Sequence, residues 1–100
     1  MKIVSSVANG NWSSLDVWDN GIPDLNDVVY IYHNIYMDTS NNKILDLYIL
    51  KDGILECDKN EKLNANSIVL IGGQIICIGD NFRIQCNILR SVNVEDSIIE

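Results

Sequence analysis

The chain has 100 residues and a formal net charge of −7, from 14 acidic and 7 basic side chains. This length predicts one domain, and the acidic charge argues against a nucleic-acid partner because phosphate backbones are also negative. No apolar run approaches the ~18 residues that a membrane span needs, and the N-terminus lacks the apolar core of a signal peptide. We therefore predict a folded chain with no membrane insertion and no signal peptide.

Residues 1–27 differ in composition from the rest of the chain. They are rich in Asn, Ser, Asp and Gly, contain both tryptophans, Trp12 and Trp18, and show no strand period before Val28. Gly21 and Pro23 favour a turn that leads the chain into the first strand. This segment is therefore considered separately from the repeating residues that follow it.

From Val28 onwards the apolar residues alternate in short segments, and their spacing repeats. Two apolar pairs lie eight positions apart within a unit, and the unit recurs 21 positions later, as from Ile49 to Leu70. A period of this size is typical of a stacked repeat, in which each turn buries its apolar face on the next. The residues predicted to face inward are Leu47, Ile49, Leu55, Cys57, Ile68, Leu70, Ile76 and Ile78, preceded in the same pattern by Val29, Ile31, Ile35 and Met37.

Two dipeptides, Asp52 with Gly53 and Gly72 with Gly73, would also suit tight β-hairpins. A hairpin at Gly53 would place Ile49 opposite Glu56, so one face of the strand pair would be both apolar and charged. A chain that turns a corner there and continues around a coil keeps all the repeated apolar residues inward. We therefore predict an all-β fold, a short single-stranded right-handed β-helix (solenoid), with residues 28–100 forming its turns.

The ends of such a coil need cover, because an exposed turn leaves an apolar layer and unpaired strand edges in water. We predict that residues 1–27 form an N-terminal cap in which Trp12 and Trp18 close the apolar column. At the other end no aromatic residue follows the last alternating residues, so we expect another subunit to cover the C-terminal turn. Those residues are Phe82, Ile84, Cys86, Ile88, Val92 and Val94, with Ile98 and Ile99 beyond them.

The order W-(five residues)-W, G-x-P, D-x-V and a GG-containing strand is similar to the eight-glycine (G-eight) domain. The resemblance spans about residues 11–88 and implies an extracellular β-rich module used for binding or scaffolding, without a catalytic motif. The chain has only six glycines, and Asn26 stands where the family tends to have Gly; Asn tolerates positive φ, so we expect the turn to survive. The matching residues are Trp12, Trp18, Gly21, Pro23, Asp27, Val29, Gly53, Gly72, Gly73 and Gly79.

The cysteines and the histidine suggest structural roles. The three cysteines have no CxxC spacing, and alternation places Cys57 and Cys86 inward and Cys77 outward, so we predict free thiols. His33 is the only histidine, which excludes a His-based triad or a multi-His metal centre. We predict that it is a solvated residue at a corner between strands.

Acidic pairs such as Asp24 with Asp27, or Glu95 with Asp96, could in principle serve a glycosidase or bind calcium. Glycoside hydrolysis needs two carboxylates about 5–9 Å apart in a cleft, and the chain lacks the D-x-D-x-D-G loop typical of calcium sites. No nucleophile–base or acid–base group is evident. We predict a non-enzymatic protein with no cofactor and no metal.

The strands of the first predicted sheet are continuous apolar runs, so their outer face should be apolar as well as their inner face. Strands apolar on both faces are normally covered on both faces. Either the chain's own residues fold over this outer face, or a partner covers it. Its residues, predicted to stack in two rows, are Tyr30, Tyr48 and Val69, and Tyr32, Leu50 and Ile71.

Two classes of function remain open. The first is a structural, assembly or adhesion module that docks on identical or different protein subunits, for example as a virion tail, fibre or capsid-associated component. The second is a carbohydrate-binding module of a cell-surface or secreted polysaccharide-related protein, with outward tyrosines stacking on sugar rings. The aliphatic neighbours of these tyrosines favour a protein partner over a sugar. We therefore expect the protein at a virion, a cell surface or in the extracellular space.

Overall fold

The computed structural model describes residues 1–57, 60–78 and 82–92. Over these residues the chain is an all-β solenoid of about four turns of parallel strands, which confirms the predicted fold class. One 3-10 helix, Leu15–Val17, lies near the N-terminus. The strands are β1 Ile3–Ser5, β2 Gly10–Asn11, β3 Val28–Ile31, β4 Asn34–Tyr36, β5 Ile44–Ile49, β6 Ile54–Cys57, β7 Lys62–Ile71, β8 Gln74–Cys77, β9 Arg83–Gln85 and β10 Ile88–Val92.

The strands form two parallel sheets that share one apolar interior. The first sheet has the order β1-β3-β5-β7-β10, with β9 also pairing with β7, and the second has the order β2-β4-β6-β8. Up to β8, successive strands alternate between the two sheets, so each pair of strands completes one turn. Parallel pairing between turns is the arrangement that the rejected hairpins could not produce.

The inward column of the first sheet confirms the predicted spacing. Val4, Val29, Leu47, Ile68 and Leu89 lie in register on successive strands. The separations of 18 residues from Val29 to Leu47 and 21 from Leu47 to Ile68 are those expected from the sequence. The first four side chains are fully buried. Leu89, on the last strand, is 60% exposed.

In the second sheet the predicted register is wrong by one residue beyond β6. Leu55 pairs with Ile75, and Ile75 packs partly buried against the core. Ile76, predicted to face inward, instead pairs with Glu56 on the outward side. Ile78 is also not an inward residue, since 70% of its surface is exposed.

The cause of this shift is the length of the corner between the sheets. Four residues lie between Ile49 and Ile54, whereas only three lie between their register partners, Leu70 and Gln74. Because side chains on a strand alternate between faces, the shift moves the apolar set by one position. A Cβ on Gly73 would clash with Ile49 below it, and one on Gly53 would clash with the Ile31 carbonyl. Glycine is therefore needed at this corner for close packing between turns.

The cysteine predictions are partly correct. Cys57 is buried, and Cys86 is partly buried against the core, as expected for inward residues. Cys77 pairs in register with buried Cys57, so the outward face predicted for it does not fit this register. Its thiol is exposed because, among the described strands, none stacks on β8 from the far side.

A second one-residue shift in the set of inward-facing side chains occurs within β7. Leu63 and Ala65 face the interior on the first half of β7, and Ile68 does so on the second half, with Ser67 also buried between them. On the next turn, Ile84 therefore pairs with Leu63. Ile88 pairs with Ser67 rather than with an inward residue, contrary to the alternation predicted from Phe82 to Ile88. The further residues of that prediction, at 94, 98 and 99, lie outside the described residues.

The solenoid begins earlier than the sequence indicated. Strand β1 pairs with β3 and strand β2 pairs with β4, so the first turn starts inside residues 1–27. Three-residue and two-residue strands are too short to show a period, which explains why they were not predicted. Asn26 has φ of 62°, a positive value that asparagine tolerates.

Candidate functional site

The outer face of the first sheet carries the row of side chains predicted from the sequence. Tyr30, Tyr48 and Val69 lie in register on β3, β5 and β7, and Arg90 continues the row on β10. The rings of Tyr30 and Tyr48 stack with centroids 4.9 Å apart and an interplanar angle of 11°. The predicted stacking of this row is therefore confirmed.

The second predicted row runs beside the first. Ile31, Ile49 and Leu70 are in register, so the residues that follow them, Tyr32, Leu50 and Ile71, occupy equivalent positions. Tyr32 is 46% exposed, and the other five residues of the two rows are half-buried. We call these six residues the tyrosine surface: Tyr30, Tyr32, Tyr48, Leu50, Val69 and Ile71.

The geometry of the tyrosine surface restricts what it can bind. Sugar rings bind aromatic side chains by lying flat on a free ring face. One face of the Tyr30 ring is stacked on one face of the Tyr48 ring, so neither of these two faces is free. Leu50, Val69 and Ile71 add aliphatic area without hydrogen-bonding groups. A contiguous apolar area of this kind is typical of a protein contact.

His33 makes a side-chain hydrogen bond that the sequence did not indicate. It is half-buried, and its Nδ1 lies 2.8 Å from the Oγ of buried Ser6. The same Oγ accepts a hydrogen bond from the Tyr32 amide at 2.8 Å. His33 therefore helps to hold the start of the corner after β3 onto the first turn. Its partner lies 27 residues away in the chain, so local sequence could not reveal the contact.

The acidic pair Asp24 and Asp27 stabilises the first turn. Asp27, 3% exposed, accepts hydrogen bonds from the Lys2 ammonium at 2.6 Å, the Lys2 amide at 2.9 Å and the Asp24 amide at 2.8 Å. Burial alone would raise the pKa of Asp27, but these hydrogen bonds and the Lys2 charge hold it below its ordinary value of 3.8. The pKa of Asp24 is lowered by hydrogen bonds from Asn42 and Leu25. Glu95 and Asp96 lie outside the described residues.

The N-terminal end of the solenoid contains both tryptophans. Trp12 and Trp18 are buried in a T-shaped pair with centroids 5.3 Å apart, and the Trp18 Nε1 donates to the Trp12 carbonyl at 2.9 Å. The chain after the 3-10 helix follows the outer edge of β1, where the Asp19 amide donates to the Ser5 carbonyl at 3.0 Å. That Trp12 and Trp18 act as a lid stays a prediction.

The C-terminal end differs, because apolar side chains of the last turn are open to solvent. Among the described strands, none pairs with the outer edge of β9 or β10. Leu89, which continues the fully buried inward column, is exposed there. Other exposed apolar residues in the last part of the described chain are Ile78, Ile84, Ile88 and Val92.

Two small cavities lie along the corners of the coil. One of about 270 Å³ lies between residues 22–24 and 39–42, where the Asn42 side chain donates to the Asp24 carboxylate at 2.7 Å. Another of about 370 Å³ lies beside Lys43 and Asn64. In the described part of the chain, no three His, Cys, Asp or Glu side chains are grouped to hold a metal ion. The same residues include no helix long and apolar enough to cross a membrane.

Comparison with known proteins gave no match to a protein-family model, to a curated protein or to a solved structure. The resemblance to the eight-glycine domain therefore stays a prediction, based on residues of this chain alone. The candidate functional sites are therefore assigned from geometry alone. They are the tyrosine surface on one side of the solenoid and the open C-terminal end.

Proposed function

We propose that the protein is a non-enzymatic structural module that assembles with protein subunits, and that a subunit docks on the tyrosine surface. The observation that carries this proposal is the in-register apolar face formed by three strands of the first sheet, β3, β5 and β7. Such a face, apolar on the outside of a sheet that is already packed on its inside, favours a covering partner. In line with the resemblance to an extracellular module, we propose a virion or cell-surface setting.

A carbohydrate-binding module is the second candidate, and the exposure of Tyr32 favours it. Tyr32 is the tyrosine of the surface with the largest exposed fraction, and one free ring could stack on a sugar. The stacked pair of Tyr30 and Tyr48 and the aliphatic row beside it favour protein contact instead. The two candidates differ in which rings become protected when the partner binds.

The proposal is tested by nitration of tyrosines, mapped by peptide mass spectrometry, in the free and the assembled protein. We expect Tyr30, Tyr32 and Tyr48 to become protected together on assembly. Tyr48→Lys should abolish assembly while keeping the far-UV circular dichroism of the unmodified protein, because a buried ammonium in an apolar contact is costly. Leu15→Lys, at an exposed site on another part of the molecule, is the matched control and should assemble normally.

Two outcomes would contradict this proposal. If the tyrosines react equally in every state, no subunit covers the surface. If a glycan array shows sugar binding that Tyr32→Ala removes, with no protein assembly, the carbohydrate-binding candidate is correct instead.

A further inference from the structure

We propose that strand β10 forms an antiparallel edge-to-edge contact with β10 of a second copy of this chain. This contact uses the outer edge of β10 at the open C-terminal end, whereas the tyrosine surface is the outer face of β3, β5 and β7, so the two proposals succeed or fail separately. Three features of β10 support this contact: the direction of its backbone groups, the apolar residue at its centre, and the order of its side chains about a two-fold axis.

Among the described residues, no strand pairs with the outer edge of β10. The Val92 carbonyl accepts from the Gly72 amide at 3.2 Å, which directs the groups of Val92, and of every second residue before it, towards β7. The amide and carbonyl groups of Leu89 and Ser91 therefore point to the outer edge. A row of unpaired groups of this kind is a template for another strand.

The apolar interior is incomplete at the same place. Ile68 and Leu63 are fully buried because a further turn covers each of them. Leu89 and Ile84 occupy the same columns one turn later and are 60% and 39% exposed. Since each position is apolar and already in register, one more strand over it would bury it as its predecessor is buried.

The size of the end is adequate for a stable contact. Five strands spaced about 4.8 Å apart give a rise of about 19 Å along the solenoid axis. The shortest extent of the molecule, 24 Å, is the one nearest to this rise, so we take it as the direction of the axis. The remaining extents of 39 and 31 Å outline an end with a cross-section of about 900 Å², which sets the upper limit of the contact; a standard interface buries about 800 Å² per partner.

The side-chain order of β10 favours a second copy over an unrelated strand. A two-fold axis through Leu89 sets Leu89 opposite itself and Ile88 opposite Arg90. Asn87 then lies opposite Ser91, with its own amide donating to the Asn66 carbonyl at 3.0 Å. Leu89 then exchanges two backbone hydrogen bonds with its counterpart, which suits the outward direction of its amide and carbonyl. An axis through Arg90 would place two guanidinium groups directly opposite each other, which is destabilising. Such a contact is isologous and closes as a dimer.

The test combines sedimentation velocity with amide hydrogen exchange of the full chain over a range of concentrations. We expect a monomer–dimer equilibrium in which the Leu89 and Ser91 amides become protected as the dimer forms. Leu89→Lys should weaken dimerisation at least about tenfold, because it buries a charge at the centre of the contact. Ser91→Pro should also weaken it, because proline removes an outward amide without removing a bond to β7.

Leu15→Lys is the matched control, since Leu15 is 66% exposed at the other end of the solenoid, and it should dimerise like the unmodified protein. A monomer with rapid exchange at Leu89 and Ser91 at all concentrations would overturn the proposal. Protection of these amides that does not depend on concentration would also overturn it, because the chain's own residues would then cover the edge. A dimer that resists Leu89→Lys but is lost in Tyr48→Lys would assign the contact to the tyrosine surface instead.

Discussion

Both ends of this solenoid contain apolar side chains of the inward column, which are buried at the N-terminal end and exposed at the C-terminal end. At the N-terminal end, the chain after the 3-10 helix hydrogen bonds along the outer edge of β1, and Trp12 and Trp18 are buried. At the C-terminal end, the outer edge of β10 has no strand partner among the described residues. Val4 and Leu89, the first and last members of one column, differ from fully buried to mostly exposed.

This difference shows where the stability of a solenoid comes from. An apolar side chain in a column is buried by the turns on both sides of it, so its contribution depends on its neighbours as well as on its own size. Interior members of the column should contribute fully, and the last member should contribute little until something covers it. The comparison of the two ends can therefore be tested by matched substitutions.

The largest effect is expected at the N-terminal end. Trp18→Ala should lower the free energy of unfolding by about 3–5 kcal/mol, because it removes a buried indole and the contact with Trp12. Thermal and urea denaturation would measure the change. Leu15→Ala, three residues away on an exposed site, is the control and should stay within about 0.5 kcal/mol. A melting temperature of Trp18→Ala equal to that of the unmodified protein would show that the tryptophans are not a lid.

Within the inward column, the loss of unfolding free energy caused by Leu→Ala should depend on whether the leucine lies in the middle or at the end of the column. Leu47→Ala should destabilise the chain by about 2–5 kcal/mol, whereas Leu89→Ala should cost less than about 0.5 kcal/mol at concentrations where the protein is monomeric. Urea denaturation of both variants would measure the two costs. Equal costs for the two leucines would mean that Leu89 is covered in the monomer, and the contrast between the ends would disappear.

Sequence spacing was sufficient to predict the pairing of β3, β5 and β7, because these three strands are apolar on both faces. The register of Val29, Leu47 and Ile68 follows from spacing alone, and so does the stacking of Tyr30 on Tyr48. Each of these pairings repeats a local pattern that is visible in a few residues. The register of the two rows of the tyrosine surface therefore follows from the sequence, whereas the binding of a partner there stays a prediction.

Features that depend on the length of a corner or on a distant partner could not be predicted in this way. A single residue fewer before Gln74 moved Ile76 to the outer face, and nothing in the apolar pattern indicates how many residues a corner uses. Strand β1 was too short to have a period. The hydrogen bond of His33 with Ser6 joins segments 27 residues apart, so only the coiling of the chain brings them together.

A smaller contrast between the ends lies at the residues just before the first paired residues of two neighbouring strands, Ile3 with Val28 and Ser67 with Ile88. At the N-terminal end these residues are Lys2 and Asp27, an ion pair with a distance of 2.6 Å. At the C-terminal end the equivalent residues are Asn66 and Asn87, whose side-chain amides hydrogen bond at 3.0 Å. One turn is therefore held by a charged pair and the other by a neutral pair, so the two ends should respond differently to pH.

Asp27→Asn should lower the free energy of unfolding at neutral pH by about 1.5–3 kcal/mol, the usual contribution of hydrogen bonds to a charged group. The folded-state pKa of Asp27 lies below its ordinary value of 3.8, so its stabilisation is complete above that value and is lost as the pH falls through the folded-state pKa. The gap between the unmodified protein and Asp27→Asn, measured by urea denaturation, should therefore stay constant from neutral pH to about pH 5 and shrink below pH 4. Asn87→Ala, the neutral counterpart, should show a small difference that does not change over this range. A gap for Asp27→Asn that persisted unchanged in strong acid would mean that the carboxylate charge does not stabilise the first turn.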